Sequence, residues 1–395
     1  MSRLLVLLPN VPYPLDAGAK IRNHGLLRLL SADHEVDAIV FGAPDSGAEL
    51  AKLARRSALV AVPEPRSAVR RTVDAGRTRL PDMALRRFSA AFKDTLACFL
   101  REGDYDAVQA EGIEMAGYLG CVPAAKRIYD AHNAEFLLQR RFAVSATSAW
   151  ARLYSQVQWR RLERFEGAVV GSSRLTLAVS QHDANQLLAL AGASANVQVV
   201  RNGIDAAAFR FAAPRSDQSA NLLFLGKLDF RPNAEAMAWF VHDVLPPLIE
   251  VVPRVRLFAV GASPPRWLVA AGQHDERIAV TGYVDDERPY LDRCTALVLP
   301  LRAGGGSRLK ALIALASGLP IISTRVGMEG LETEPDVHYL AAESVSDWVG
   351  ALQRLFGDAG LRQRMARAGR LLVQQQYDWS AIRAEVQTAY EWLRE

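Results

Sequence analysis

Short apolar runs alternate with segments of helical period along almost the whole chain. In the first half the runs fall at Leu4–Leu8, Val36–Phe41, Ala58–Val62, Ala107–Ala110, Arg127–Asp130, Leu175–Val179 and Val197–Val200. Such alternation is the signature of parallel α/β construction. Asn202-Gly203 is a strong turn signal, and Asp205 to Asn221, rich in Ala, Ser and Pro, has no periodicity and reads as a linker. The pattern then restarts, with strands expected at Leu222–Leu225, Arg256–Val260, Ile278–Val280, Ala296–Leu299 and Pro320–Ser323. Helices are expected at Asn233–Ile249, Ser346–Phe356, Leu361–Gln375 and Asp378–Arg394. The expected organisation is two parallel-sheet α/β domains, residues 1–212 and 213–375, with a terminal helix, 376–395, packing back on the first. Two such domains facing across a deep cleft would take ligands outside the carboxyl ends of their strands.

Composition narrows the class. The chain has 395 residues, half of them hydrophobic and 23% charged, enough for two separate cores. No apolar run approaches the roughly 20 residues that span a bilayer. The opening LLVLLPNVPYP follows a single Arg3 and soon becomes a turn, so it reads as a buried strand rather than a signal peptide. Cys98, Cys121 and Cys294 form no metal or redox motif and suit a reducing cytoplasm. The net charge of +4 is too mild to imply nucleic acid. Its distribution says more: residues 66–101 carry eight Arg and one Lys against three Asp, and residues 139–164 carry six Arg against one Glu. These stretches are either solvated faces or a docking surface for an anionic membrane or a phosphate-bearing substrate.

The chemistry concentrates where strands end. The stretch Leu297–Thr324, LVLPLRAGGGSRLKALIALASGLPIIST, runs strand, glycine turn, helix, glycine, strand. Gly304, Gly305 and Gly306 permit close backbone approach, and the helix start after Ser307 offers N–H groups to an anion. Arg308 and Lys310 stand at that same end, against the helix macrodipole, which favours a functional use over two solvated bases. The turn is no Walker A loop, because it lacks Gly-Lys-Ser/Thr spacing. After the first strand, NVPYPLDAGAKIR offers Gly18 for close ligand approach and Lys20 and Arg22 as cleft-lining bases. His132, within Asp130-Ala131-His132-Asn133-Ala134-Glu135, can donate to a sugar hydroxyl, or be a satisfied structural donor. Glu111 and Glu114 could accept from acceptor hydroxyls or cap structure. Lys227, after Phe224-Leu225-Gly226, is a compact positive charge suited to a departing diphosphate. No carboxylate pair suggests a glycosidase acid and base, and no cluster has metal-ligand spacing.

Together PNVPYPLDAGAKIR, DAHNAEF, LFLGKLDFRPNAEA, GYVDD, the 297–324 stretch and the terminal YDW resemble the retaining, nucleotide-sugar-dependent glycosyltransferases of family 4. That resemblance implies the GT-B architecture of two Rossmann-like domains, with the acceptor in the first and the nucleotide-sugar in the second. It implies His132 and Lys227 as catalytic residues, and Gly18, Lys227, Gly304, Gly305, Gly306, Ser307, Arg308 and Lys310 at the donor. Lys20, Arg22, Glu111, Glu114, Asn133 and Glu135 are expected toward the acceptor, a glycan that is lipid-linked or part of a glycoconjugate. No cofactor and no metal is implied beyond the donor substrate. Many members carry two glutamates with seven residues between them; here those positions are Gly305 and Ile313, and isoleucine cannot accept a ribose hydrogen bond. A second basic residue common after the Lys227 position is Asn233 here. Two alternatives stand beside the leading one: an inactive GT-B-like partner in polysaccharide assembly, and a transferase with a small-molecule acceptor. A dinucleotide oxidoreductase would place its glycines differently, and a nucleic-acid binder would leave the strand-end constellation unexplained.

Overall fold

The computed structural model describes residues 1–144, 149–212, 220–302 and 308–394. The chain forms two compact units, one of Met1–Gly203 with Ile382–Glu395, the other of Ile204–Gly304 with Arg308–Ala381.

The first unit is built on seven strands: β1 (Arg3–Leu8), β2 (Glu35–Phe41), β3 (Arg56–Val60), β4 (Ala107–Glu111), β5 (Arg127–Ala131), β6 (Leu175–Ala178) and β7 (Val197–Val199). All pairings are parallel, in the order β3-β2-β1-β4-β5-β6-β7. Leu4 through Leu8 are fully buried, because helices cover both faces of a parallel sheet and leave no wet side. The chain runs outward from β1 through β2 to β3, then crosses to β4 on the other side of β1. The β1–β4 boundary is therefore the switch point, where the following loops diverge and leave a crevice at the carboxyl ends. The segment after β1 leads into helix α1 (Gly18–Asp33), whose Leu26, Leu27, Leu29 and Leu30 are buried. β3 begins two residues earlier than the apolar pattern suggested, on the exposed Arg56 and Ser57.

The second unit repeats the plan with β8 (Asn221–Leu225), β9 (Arg256–Val260), β10 (Ile278–Gly282), β11 (Ala296–Leu299), β12 (Ile321–Ser323) and β13 (Leu340–Ala341), in the order β10-β9-β8-β11-β12-β13. Its switch point lies between β8 and β11. β13, two residues long, has too little pattern to stand out in the sequence. The helix expected over 233–249 is two, Arg231–Trp239 and Leu245–Val251, joined by a wider π turn at Phe240–Val244.

The change of unit falls after Gly203 rather than after residue 212. The cause is local bonding: Ile204 N donates to Tyr377 O (2.9 Å), Ala206 N to Asp378 Oδ2 (3.0 Å), and Arg370 Nη1 to the carbonyls of Ala206 (2.8 Å) and Ala316 (2.7 Å). The YDW motif thus clamps the start of the linker to the second unit. At the chain end, Ile382–Glu395 belongs to the first unit.

Candidate active site

In the first unit, charge is concentrated at the carboxyl ends of β4 and β5. Asp130, next to last in β5, is fully buried and takes a two-pronged pair from Arg22 of α1, Nε to Oδ2 at 2.8 Å and Nη2 to Oδ1 at 2.5 Å. Arg22 Nη1 donates further to Val200 O and Asn202 Oδ1, both at 2.9 Å. Burial acts to raise the Asp130 pKa, but Arg22 and His132 hold it well below the usual carboxylate range. Arg22 is 1% exposed and its donors are spent inside the unit, so the expectation that it lines an acceptor site is corrected: it is a positioning residue.

His132 follows β5. Its Nε2 lies 3.3 Å from Glu111 Oε2 and 3.5 Å from Asp130 Oδ2. Burial favours the neutral ring, yet the hydrogen bonds to Asp130 and Glu111 outweigh it and push the pKa up to about 9. Glu111 ends β4, is 1% exposed, and accepts from Gln109 Nε2 at 2.5 Å. Tyr390, from the C-terminal segment, donates to Gln109 Oε1. With its amide oriented by its neighbours, Asn23 donates to Glu111 Oε2 (2.9 Å) and Ala19 O (3.0 Å). The same nitrogen stands 3.1 Å from His132 Nε2, but that ring nitrogen carries a proton toward two carboxylates, so the approach is no hydrogen bond. Burial and the repulsion of Asp130 push Glu111 up to about 7 against the pull of His132. Glu111 is therefore a second correction, since its oxygens serve His132, Gln109 and Asn23.

Gly112 adopts φ +77°, and a Cβ there would stand 3.3 Å from His132 Nδ1. Glycine keeps that edge of the ring open. The His132 loop is fixed from both sides: Ala134 N donates to Asp183 Oδ1 (3.0 Å), while Glu135 N (3.2 Å) and Phe136 N (2.9 Å) donate to the buried Glu166 carboxylate. Glu135 is nearly buried and accepts from Asn133 Nδ2 at 2.7 Å, so these two expected acceptor contacts bind each other. Glu114 is half-buried near Arg86 (3.7 Å) and Arg87 (3.8 Å), and Lys20 pairs with Asp16 at 2.8 Å. Gly18 is exposed at the start of α1, where Ala17 supplies no side-chain cap, so the first N–H groups of that helix are available to an anion.

Glu111, Asp130 and His132 are the described residues whose ligand atoms converge enough to hold a cation, within 4.8 Å of one another. Arg22 already supplies positive charge there, and both carboxylates accept from protein donors. The geometry fits a hydrogen-bonded network better than a metal centre.

In the second unit the counterpart lies at the ends of β8 and β11. Gly226 (φ +136°) and Gly261 (φ +150°) let neighbouring strand ends touch; a Cβ on Gly261 would overlap Gly226 O at 1.9 Å. Lys227 follows, 64% exposed along its side chain and 3.5 Å from Asp229 Oδ1. Lys310, on the helix Leu309–Ser317, donates to Asn233 Oδ1 at 2.9 Å and stands 4.8 Å above the Phe224 ring. Asn233 Nδ2 donates to Lys227 O (2.8 Å), so Asn233 joins the two lysines. Burial, helped by repulsion from Arg308, pushes Lys310 down to about 7. Arg308 is buried at the helix entrance and donates to Val326 O at 3.0 Å. Ile313 packs against the apolar core, with Leu312 and Leu315 fully or almost fully buried beside it. Gly304, Gly305, Gly306 and Ser307 lie outside the described residues.

Two family models divide the chain between them: "Glycosyltransferase Family 4" matches residues 18–208 and "Glycosyl transferases group 1" matches residues 219–358. The chain belongs to glycosyltransferase family 4. Among curated relatives, glycogen synthase of Mycobacterium tuberculosis is 29% identical over 232 residues, 55% of this chain and 53% of the relative, so the match spans about half of that protein. The fold matches sucrose-phosphate synthase from Thermosynechococcus elongatus at a TM-score of 0.74, with 16% identity over 100% of this chain and 99% of the other. It matches Anabaena HepE in complex with UDP-glucose at 0.68, with 12% identity over 98% and 99% of the two chains. WaaG, a glycosyltransferase involved in lipopolysaccharide biosynthesis, matches at 0.66, with 15% identity over 98% and 99%. The two parallel sheets of seven and six strands are thus the GT-B fold of this family.

Asp130, Asn23, Gln109 and Tyr390 were not singled out by sequence. Asp130 carried one usable signal, a carboxylate closing an otherwise apolar strand and therefore in need of a buried cation. Gln109 and Tyr390 carried none, because their link joins residues far apart in the chain.

Proposed function

We propose that this family 4 glycosyltransferase moves a sugar from a nucleotide-diphosphate donor to a lipid-linked glycan with retention of configuration and without a catalytic metal. The carrying observation is that Asn233, bonded to the Lys227 backbone carbonyl and to Lys310 Nζ, ties both lysines to the β8 switch point, where ligands of such sheets bind and where Lys310 can take up a proton beside an anion. The UDP and UDP-glucose complexes of HepE support a nucleotide-sugar as donor. In this mechanism the acceptor oxygen bonds the anomeric carbon on the face from which the diphosphate leaves. The anomeric C–O bond breaks toward the β-phosphate, and the acceptor's proton passes to the departing phosphate. In the second unit Lys227, Arg308 and Lys310, with residues 304–307, neutralise that phosphate, and Gly18 is assigned to the donor by the family resemblance. His132, charged and held by Glu111 and Asp130, presents Nδ1–H to a hydroxyl of the transferred sugar. Lys20, Glu114 and Asn133 remain on the acceptor side. The involvement of WaaG in lipopolysaccharide biosynthesis motivates a lipopolysaccharide-type acceptor, and no described helix is long and apolar enough to cross a membrane.

The test is Lys227→Ala, assayed for donor binding and for transfer across a panel of lipid-linked acceptors. Turnover should fall by about 10²–10³-fold, as for removal of a main oxyanion contact, with thermal stability unchanged because the side chain is exposed. Undiminished turnover would overturn the assignment. Ile313 favours a second reading, an inactive assembly partner, because its side chain packs in the core instead of offering a ribose acceptor. That reading predicts no nucleotide-sugar binding by the intact protein.

A further inference from the structure

Helix α2 (Ala68–Arg77) is built inside out. None of its residues is buried, and its polar side faces the protein. Arg71 Nε donates to Asp82 Oδ1 (3.1 Å) and its guanidinium lies over the Tyr154 ring; Asp74 accepts from Arg66 (2.8 Å); Arg161 donates to Ala75 O (2.7 Å). Residues 71, 74 and 75 share one side by helical spacing. The opposite side carries Val69 and Val73, one turn apart and 75% and 43% exposed. Arg70 and Arg77 flank them, Arg79 and the 41% exposed Leu80 follow, and the three arginine side chains have no ion pair or hydrogen bond among the described residues.

A surface helix ordinarily turns its apolar stripe inward. Reversed, the stripe is shielded only if something covers it. The arginines say what: their long stems lie along apolar surface while their heads seek phosphates, the arrangement of an interfacial helix at a headgroup boundary. A second copy of the chain fits poorly, since a two-fold contact would set these arginines against themselves. We propose that the outer face of α2 docks on an anionic lipid bilayer, with Val69 and Val73 at the acyl boundary and Arg70, Arg77 and Arg79 on the headgroup phosphates. This builds on the lipid-linked acceptor reading and narrows the basic 66–101 stretch to one helix face. Much of the rest of that stretch is spent internally, as with Arg66 and Arg71 on Asp82 and Arg87 on Asn10.

The experiment is vesicle flotation of the full chain with phosphatidylcholine alone and with phosphatidylcholine mixed with phosphatidylglycerol. Wild type should float with the mixed vesicles only. Arg70→Gln/Arg77→Gln/Arg79→Gln should reduce partitioning on the order of a hundredfold, from about fivefold per basic residue near an anionic surface. Val69→Asp/Val73→Asp should abolish flotation while thermal stability and vesicle-free nucleotide-sugar affinity stay at wild-type values, which separates this proposal from the transferase assignment. Equal flotation with both vesicle types, or wild-type flotation by the valine variant, would overturn it. So would a solution dimer that the valine substitutions dissociate, which would assign the face to a second copy.

Discussion

Replacing Arg22 with Met tests whether the Asp130 network is the keystone of the first unit. The substitution keeps the apolar stem but removes both contacts to Asp130, at 2.8 and 2.5 Å, and the donors to Val200 O and Asn202. A buried pair stripped of one partner ordinarily costs about 3–5 kcal/mol, because the remaining charge has lost its compensation. Here His132 stays 3.5 Å from Asp130 and is protonated below about 9, so the cost at neutral pH should sit near the lower bound, about 3 kcal/mol. The deficit should widen as pH rises through the His132 titration, when the last neighbouring cation is lost. Removing both charges, as Arg22→Met/Asp130→Leu, should recover at least half of it, since the carboxylate left without its guanidinium is gone while the lost bonds to Val200 O and Asn202 remain. The appropriate measurement is native-state hydrogen exchange at the β5 amides Tyr129–Ala131, which reports the first unit without averaging over the second. A loss below about 1 kcal/mol for the single variant, typical of an exposed ion pair, would refute the reasoning.

Glu111→Gln should lower the His132 pKa from about 9 toward its ordinary 6.5, read from the imidazole proton shifts by NMR. His132, raised in the fold, contributes stability present below 6.5 and lost as pH climbs through 9; Glu111, raised from 4.5 to about 7, likewise favours folding at the low end of its own window and loses that as pH passes 7. The stability of the first unit, read at its β5 amides, should therefore decline from about pH 4.5 to 9 in the wild type and less in the variant, while Lys310 in the second unit runs the other way above pH 7. Lys310, held near 7 in the free protein, should take a proton when a diphosphate binds beside it. At pH 8 only about a tenth of it is charged beforehand, so calorimetry in buffers of different ionisation enthalpy should find nearly one proton taken up per donor bound, and Lys310→Met should abolish that uptake.

What the sequence disclosed and what it hid follow one physical division. Backbone pattern is local: the aliphatic runs of β1, β2, β8 and β11 are buried because no parallel strand has a wet face, and that can be read a few residues at a time. The strand-end positions of His132 and Lys227 were legible for the same reason, since each closely follows an apolar strand. Whether a charged side chain faces a ligand or another side chain is not local. Arg22 looked like a cleft base because Asp130 lies 108 residues away, and Glu111 looked available because Asn23 reaches it from α1 and because Gln109, its neighbour on β4, is itself held by Tyr390 from the chain end. Asn233 is the instructive case. As a substitution it read as the loss of a basic residue, yet its amide receives Lys310 Nζ on one side and donates to the Lys227 backbone on the other. Lys310 of the helix Leu309–Ser317 therefore brings its amine to Asn233, and Gly226 makes room for it, since a Cβ there would stand 2.9 Å from Lys310 Nζ. A glycine that read as a strand-end turn proves to be what lets Lys310 reach Asn233, so Gly226→Ala should displace Lys310 and weaken donor binding as Lys310→Met does.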